Sequence, residues 1–78
     1  MPQPLPDAHQ LRERREVAER IRHFRHQRGL SQERLAEVIG RDRQTVGLWE
    51  RAVTPPTVDD LSALARALQI QTWRLFYG

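Results

Sequence analysis

Residues 31–51 decide the fold of this chain of 78 residues and read SQERLAEVIGRDRQTVGLWER. Ser31 and Asp42 are good helix N-caps, because their side-chain oxygens accept hydrogen bonds from the free N–H groups of a first helical turn. Gly40 stands between the two segments and favours the left-handed backbone that ends a helix. The stretch therefore predicts one helix that ends before Gly40, a tight turn, and a second helix from Asp42 to about Arg51.

Each of these two predicted helices has an apolar side and a polar side. The first, over residues 31–39, places Leu35 on its inner face. On the second, Val46, Trp49 and Glu50 share one face at helical spacing. The opposite face carries Gln44, Leu48 and Arg51, flanked by Gly47.

The segment before this stretch predicts a long first helix. Three of the first six residues are proline, so residues 1–7 are predicted to form a flexible tail. Asp7 followed by Gln10 has the pattern of a capping box, in which each side chain bonds the other residue's backbone N–H. The helix is expected to start at Ala8 and to run until Gly29 stops it.

Only the second half of this first helix carries an apolar stripe, formed by Val17, Ile21 and Phe24. Residues 8–16 are therefore expected to form a polar overhang, whose face is solvated and internally paired. A contact with flanking DNA or with a second subunit is the alternative. The pairs expected from their spacing are Arg12–Glu16, Arg15–Glu19 and Glu16–Arg20.

Beyond the decisive stretch the sequence predicts two further helices. Two adjacent prolines make residues 53–56 a loop, and Thr57 with Asp60 forms a second capping box. The stripe of the following helix consists of Leu61, Leu64, Ala65 and Leu68. A last short helical turn covers residues 73–77. Since strand alternation is missing from the sequence, we expect an all-α domain of five helices over residues 8–78.

Composition excludes several classes of protein. The chain has no cysteine, which excludes a disulfide framework and thiolate metal sites. It has no apolar run of membrane-spanning length and no signal peptide, so a cytoplasmic protein without membrane contact is expected. All 13 basic residues are arginine, and the net charge of +3 comes from residues 1–28. This charge allows a polyanionic partner without requiring one.

The sequence offers little for catalysis or for metal binding. A glycine-rich phosphate loop and a cysteine nucleophile are both missing, and Ser31 and Ser62 each have a helix-building explanation. His23 and His26, three residues apart, are more typical of a helix surface than of a metal site. We therefore expect neither an enzyme nor a bound cofactor or metal.

Helix, tight turn and helix together form the helix-turn-helix arrangement, which presents the outer face of its second helix. An α-helix fits the major groove of B-DNA, where the amide of Gln44 can match adenine and Arg43 can match guanine O6 and N7. Gln32 lies in the first turn of the preceding helix, where free N–H groups attract phosphate. These residues predict binding to double-stranded DNA.

The sequence also resembles the lambda-repressor/Cro-like, Xre-type helix-turn-helix proteins. The likeness covers about residues 17–77, and its most specific parts are Gly-Leu-Ser-Gln (29–32), Leu-Ala (35–36), Gly40, Gln-Thr-Val (44–46) and Trp-Glu-Arg (49–51). It implies a five-helix lambda-repressor-like DNA-binding domain, here with an N-terminally extended first helix. It also implies a small bacterial or phage transcription regulator, with repression as the expected role. Two copies would bind half-sites about 34 Å apart, one turn of DNA.

The resemblance implies a role for individual side chains. Positions that face base edges in the family correspond to Arg43, Gln44, Gly47 and Leu48. Phosphate contacts are expected from Gln32, Arg41, Thr45 and Arg51. Arg25 and Glu50 resemble an ion pair that ties the first helix to the third.

Four residues depart from the family pattern, and one of them is Trp73, which stands where the family more often has a polar residue. Gly47 stands where a small hydroxyl residue is usual. Leu48 cannot hydrogen-bond a base, although it can pack on a thymine methyl group. Ala52 replaces the usual glycine, so the end of the third helix is expected to be shaped differently.

Two questions stay open at this point. Gly47 and Leu48 also fit a flat apolar spot for a protein partner, as in an Xre-like antitoxin of a toxin–antitoxin pair. Trp73, Phe76 and Tyr77 either close the bottom of the core or form the seam of a homodimer. Dimerisation through residues 73–77 is the hypothesis we favour.

Overall fold

Five α-helices form the domain in a computed structural model that describes residues 4–77. In chain order they are α1 (Ala8–Gln27), α2 (Gln32–Ile39), α3 (Arg43–Glu50), α4 (Val58–Leu68) and α5 (Arg74–Tyr77). The predicted all-α fold with an extended first helix is confirmed, and residues 4–77 contain no strand. Residues 1–3 of the predicted tail and Gly78 lie outside the described residues.

The four longer helices begin at the predicted N-caps. In each case the cap side chain accepts a hydrogen bond from the backbone N–H three residues later; the caps are Asp7, Ser31, Asp42 and Thr57. Gln10 and Asp60 return a bond to the cap backbone, so both predicted capping boxes are confirmed. These bonds satisfy N–H groups that a helix start leaves unpaired.

Residues with a positive φ end the four longer helices; they are Gly29, Gly40, Ala52 and Gln69. Gly40 closes α2 with φ 72°, and its position sets the tight turn into α3. Ala52, after α3, also adopts a positive φ of 58°, and its N–H donates to the carbonyl of Trp49 at 3.0 Å. Alanine therefore takes the conformation that glycine favours, at a cost of about 1–2 kcal/mol. The end of α3 thus keeps the backbone conformation expected for glycine, and the expectation that Ala52 changes its shape is wrong for this dihedral angle.

The hydrophobic core lies where all five helices meet. Each helix contributes at least one side chain with 1% exposure or less; these are Ile21, Leu35, Val46, Leu64, Leu68 and Leu75. The predicted stripes of α1 and α4 face this core, although Val17 at the edge is only half-buried. Burial of apolar side chains from every helix holds the domain together.

The overhang of α1 is present, but its internal pairing differs from the prediction. Residues 8–16 are exposed except for a half-buried Arg14. None of the three predicted Arg–Glu pairs forms an ion pair within residues 4–77. Instead His9 lies 2.8 Å from Glu13, and Arg12 donates to the same imidazole. Exposed arginines have many rotamers of similar energy, so spacing alone does not select the partner.

Helix α5 closes the bottom of the core through Leu75, which is fully buried. The three aromatic residues around it are exposed, with 52% for Trp73, 40% for Phe76 and 80% for Tyr77. The hypothesis that they close the core is therefore wrong, and an aromatic surface remains at this end. In the described part of the chain, no helix is both long and apolar enough to cross a membrane.

An unpredicted ion pair connects the turn before α3 to the start of α4. Arg41 donates to Asp60 through Nη2 at 2.6 Å and through Nε at 3.2 Å. Burial raises the pKa of Asp60, but hydrogen bonds from Arg41 and Thr57 outweigh it and hold the pKa below the ordinary 3.8. The carboxylate therefore binds two elements of the fold at once.

This lowered pKa predicts acid-sensitive stability. A carboxylate with a lowered folded pKa stabilises the fold fully above its ordinary pKa, and that contribution is lost as the pH falls through the folded value. We expect the free energy of unfolding to decrease below about pH 4, and to decrease less steeply in Asp60→Asn. Denaturant titrations between about pH 2 and 7 measure this dependence. Asp59→Asn, an exposed neighbour, is the control, and equal slopes in Asp60→Asn and the unmodified protein would contradict the prediction.

Candidate nucleic-acid interface

The turn between α2 and α3 fixes which side of α3 faces solvent. After Gly40, the N–H of Arg41 donates to the carbonyl of Ala36 at 2.8 Å. Val46 and Trp49 then point into the core, with 0% and 3% exposure. The side of α3 opposite to these residues is left at the surface, as the sequence predicts.

A shallow cavity of about 570 Å³ opens on this outer side of α3. Its lining consists of Gln32, Asp42, Arg43, Gln44, Gly47 and Arg51. The structure thus brings three predicted base-facing residues together with two predicted phosphate contacts. The predicted residues Leu48, Arg41 and Thr45 do not line it.

Arg43 and Gln44 offer free side chains on this surface. Both side chains are exposed, and neither makes a hydrogen bond within residues 4–77. Asp42, immediately before them, caps the helix by accepting from the N–H of Thr45 at 2.7 Å. The backbone bond from Thr45, followed by the bond from its side chain, lowers the pKa of Asp42. The carboxylate is thus held charged at the helix start, beside the two free side chains.

Gly47 and Leu48 do not form the flat apolar spot that was considered for a protein partner. Gly47 is buried, and Leu48 is half-buried. The outer face of α3 is instead polar around the cavity. The antitoxin hypothesis therefore loses the surface feature that suggested it.

The predicted ion pair between Arg25 and Glu50 is present in the structure. Arg25 donates to the carboxylate through Nε at 2.7 Å and through Nη2 at 2.9 Å. The side chains are 10% and 1% exposed, so the pair is almost entirely buried. Arg25 also donates to the carbonyl of Leu30 at 2.9 Å. This fork joins α1, the turn before α2, and α3.

Gln32 is bound to the same carboxylate. Its Nε2 donates to Glu50 Oε1 at 3.1 Å, and the residue is half-buried. The amide is therefore held between α2 and α3 with its other side at the cavity. This position agrees with the bracing role that the resemblance implies.

Two contacts of this region were missed by sequence reasoning. Arg22 donates to the backbone carbonyl of Glu50, at the end of α3. Arg41, predicted on phosphate, binds Asp60 and lies 5.9 Å from the ring centroid of Trp49. The partners are 28 and 19 residues apart, so no local pattern could have revealed them. The Arg41 side chain remains 46% exposed, and its contact with phosphate stays a prediction.

Comparison with known proteins agrees with this geometry. The HTH_3 helix-turn-helix family model matches residues 21–72, which is two thirds of the chain. This chain belongs to the helix-turn-helix family. No curated protein matches the sequence.

Solved helix-turn-helix structures have the same fold over most of the chain. The hypothetical transcription factor NHTF from Neisseria is 34% identical, with a TM-score of 0.79, over 97% of this chain and 85% of its own. The restriction-modification controller protein C.AhdI from Aeromonas hydrophila is 37% identical, with a TM-score of 0.80, over 83% and 98%. The P22 c2 repressor protein, in complex with synthetic operator 9T, is 34% identical, with a TM-score of 0.74, over 80% and 94%.

The burial of the Glu50 pair predicts a large loss of stability when it is broken. Glu50→Ala leaves the Arg25 charge buried without its partner, and we expect a loss of about 3–5 kcal/mol in the free energy of unfolding. Glu37→Ala breaks the exposed pair with Arg34 and should cost less than about 1 kcal/mol. Chemical denaturation of the two variants measures the difference. Equal stability of both would show that the buried pair contributes nothing.

Proposed function

We propose that this protein is a sequence-specific regulator of transcription that binds double-stranded DNA and acts as a repressor. The observation that carries the proposal is the pair of exposed, unbonded side chains of Arg43 and Gln44 on the outer side of a rigidly held α3. Donors and acceptors on an outward helix face can bond the base edges in the major groove of DNA. The proposal needs neither a cofactor nor a catalytic step.

The family and the solved structures support a DNA-binding transcription regulator. One similar protein is a hypothetical transcription factor, one a restriction-modification controller protein, and one a repressor in complex with an operator. The repressor is similar over 80% of this chain and 94% of its own. A bacterial or phage transcription regulator acts on DNA in the cytoplasm, and we therefore expect the protein there.

The proposed mechanism places α3 in the major groove. Arg43 donates two hydrogen bonds to guanine, and Gln44 bonds adenine through its amide. Gln32, at the start of α2, donates to a phosphate with the help of the free N–H groups of that turn. Arg41, just before α3, and Thr45, in its first turn, add contacts to the DNA backbone. Phosphate contacts set the register, whereas base contacts select the sequence.

A single copy would bind weakly, since the net charge is only +3. Electrostatic attraction to phosphate supplies most non-specific affinity, and a small surplus of charge supplies little of it. We therefore propose a homodimer that binds two half-sites about 34 Å apart. The exposed aromatic side chains at α5, namely Trp73, Phe76 and Tyr77, form its seam. Aromatic residues are enriched in such interfaces.

Selection of duplexes from a random pool tests the proposed function. We expect a defined sequence with two similar half-sites, bound with an affinity that falls steeply with salt. Analytical ultracentrifugation of the protein and of the complex measures how many copies bind. A protein that enriches no sequence at low salt contradicts the proposal.

Gln44→Ala tests the base-reading role of α3. Because Gln44 is exposed and unbonded, its removal should leave the fold intact and weaken the preference at one base pair by about 1–3 kcal/mol. Binding titrations on the selected site and on single-base variants measure this loss. An equal loss on selected and random DNA would contradict base reading.

Gln32→Ala is the matched comparison, because it removes the same amide from a predicted phosphate contact. We expect weaker binding to every duplex, with the sequence preference unchanged. A loss confined to one base pair of the site would show that Gln32 reads a base instead.

A further inference from the structure

Gly47 occupies an unusual place, because it is buried although it lies at the cavity on the outer side of α3. A Cβ atom added at Gly47 would lie 3.2 Å from Nη1 of Arg51 and 3.9 Å from Oε1 of Gln32. The first distance is shorter than normal carbon–nitrogen van der Waals contact. The guanidinium of Arg51 therefore lies against the helix backbone, in space that any other residue at position 47 would restrict.

This contact turns Arg51 back along α3. The residue follows the last residue of the helix, and its side chain reaches one turn toward the N-terminus, as Cβ directions in a helix favour. The guanidinium thereby lines the same cavity as Arg43 and Gln44. An arginine that extended away from the helix end would instead lie at the rim.

The Arg51 guanidinium is also chemically available. Ion pairs within residues 4–77 involve Arg25, Arg34, Arg41 and His9, and none involves Arg51. A planar guanidinium can donate two parallel hydrogen bonds to O6 and N7 of guanine in a fixed fork geometry. The bare backbone of Gly47 leaves room beside it for a base edge.

We propose that Arg51 determines specificity by reading a guanine, and that Gly47 positions its guanidinium for this contact. The inference rests on the proposed binding of α3 in the major groove. It changes the roles expected from the sequence, where Arg51 was assigned to phosphate and Gly47 to bases. Gly47 is a positioning residue, and Leu48, which does not line the cavity, is not part of this contact.

Three variants, each examined by selection from a random duplex pool and by titration on single-base variants, test this proposal. Arg51→Ala should lose discrimination at one G·C pair of each half-site by about 5- to 150-fold. Arg51→Lys keeps the charge but loses the planar fork, and should lose part of this discrimination, with an unchanged dependence of affinity on salt.

Gly47→Ala is the most specific of the three variants, because it leaves Arg51 in the chain. The added methyl group displaces only the far end of a flexible side chain, and alanine favours a helix more than glycine does. We expect unchanged or higher thermal stability together with weaker preference at the same G·C pair. Arg66→Ala, which removes an exposed arginine from α4, is the control for charge and should keep the full preference.

The outcomes separate this inference from the proposed function. Arg51→Ala could instead weaken binding to all duplexes equally and reduce the salt dependence of the affinity by about one phosphate contact. In that case Arg51 binds the DNA backbone, and the inference is overturned. Selection of a defined site by the unmodified protein would in that case still support the proposed function. If Gly47→Ala keeps the full preference at the G·C pair, the positioning role of Gly47 is wrong. If the unmodified protein selects no sequence, the proposed function fails and the inference falls with it.

Discussion

The buried carboxylate of Glu50 is the constraint on which the rest of the structure depends. A charge taken out of water is unfavourable unless its partners bind it with good geometry. Arg25 supplies two hydrogen bonds from α1, and Gln32 supplies a third from α2. Three helices therefore have to meet at one carboxylate before it is satisfied, and this requirement fixes how α3 lies against the other two.

The same arrangement separates rigid groups from free ones at the candidate interface. Glu50 and Gln32 are bonded to each other between α2 and α3, while the side chains of Arg43 and Gln44 on the outer side of α3 have no partner within residues 4–77. Because the backbone of such a site is already ordered, little conformational entropy is lost when it binds a ligand. Arg51 shares a property with each set: its guanidinium is unpaired, like the side chains of Arg43 and Gln44, but it lies against the backbone of Gly47.

Features that depend on neighbours in the chain could be predicted from the sequence. The caps at Ser31 and Asp42 bond an N–H three residues away, and each helix ends close to its predicted residue. The outward position of Gln44 followed from helical periodicity alone. The Arg25–Glu50 pair was expected only because the sequence resembles a known family. Predictions that relied on spacing between exposed charges, such as Arg12 with Glu16, were wrong, because solvated side chains gain little from any single partner.

The sequence by itself thus determined five helices, and for the four longer ones the start and the buried face, since backbone hydrogen bonds and apolar periodicity are local properties. The tertiary structure alone decided that Arg41 binds Asp60 and that Trp73 and Tyr77 remain exposed beside a buried Leu75. It also placed the guanidinium of Arg51 on Gly47. These facts depend on the distances and angles between helices, which arise from packing the whole core and are not encoded in any single segment.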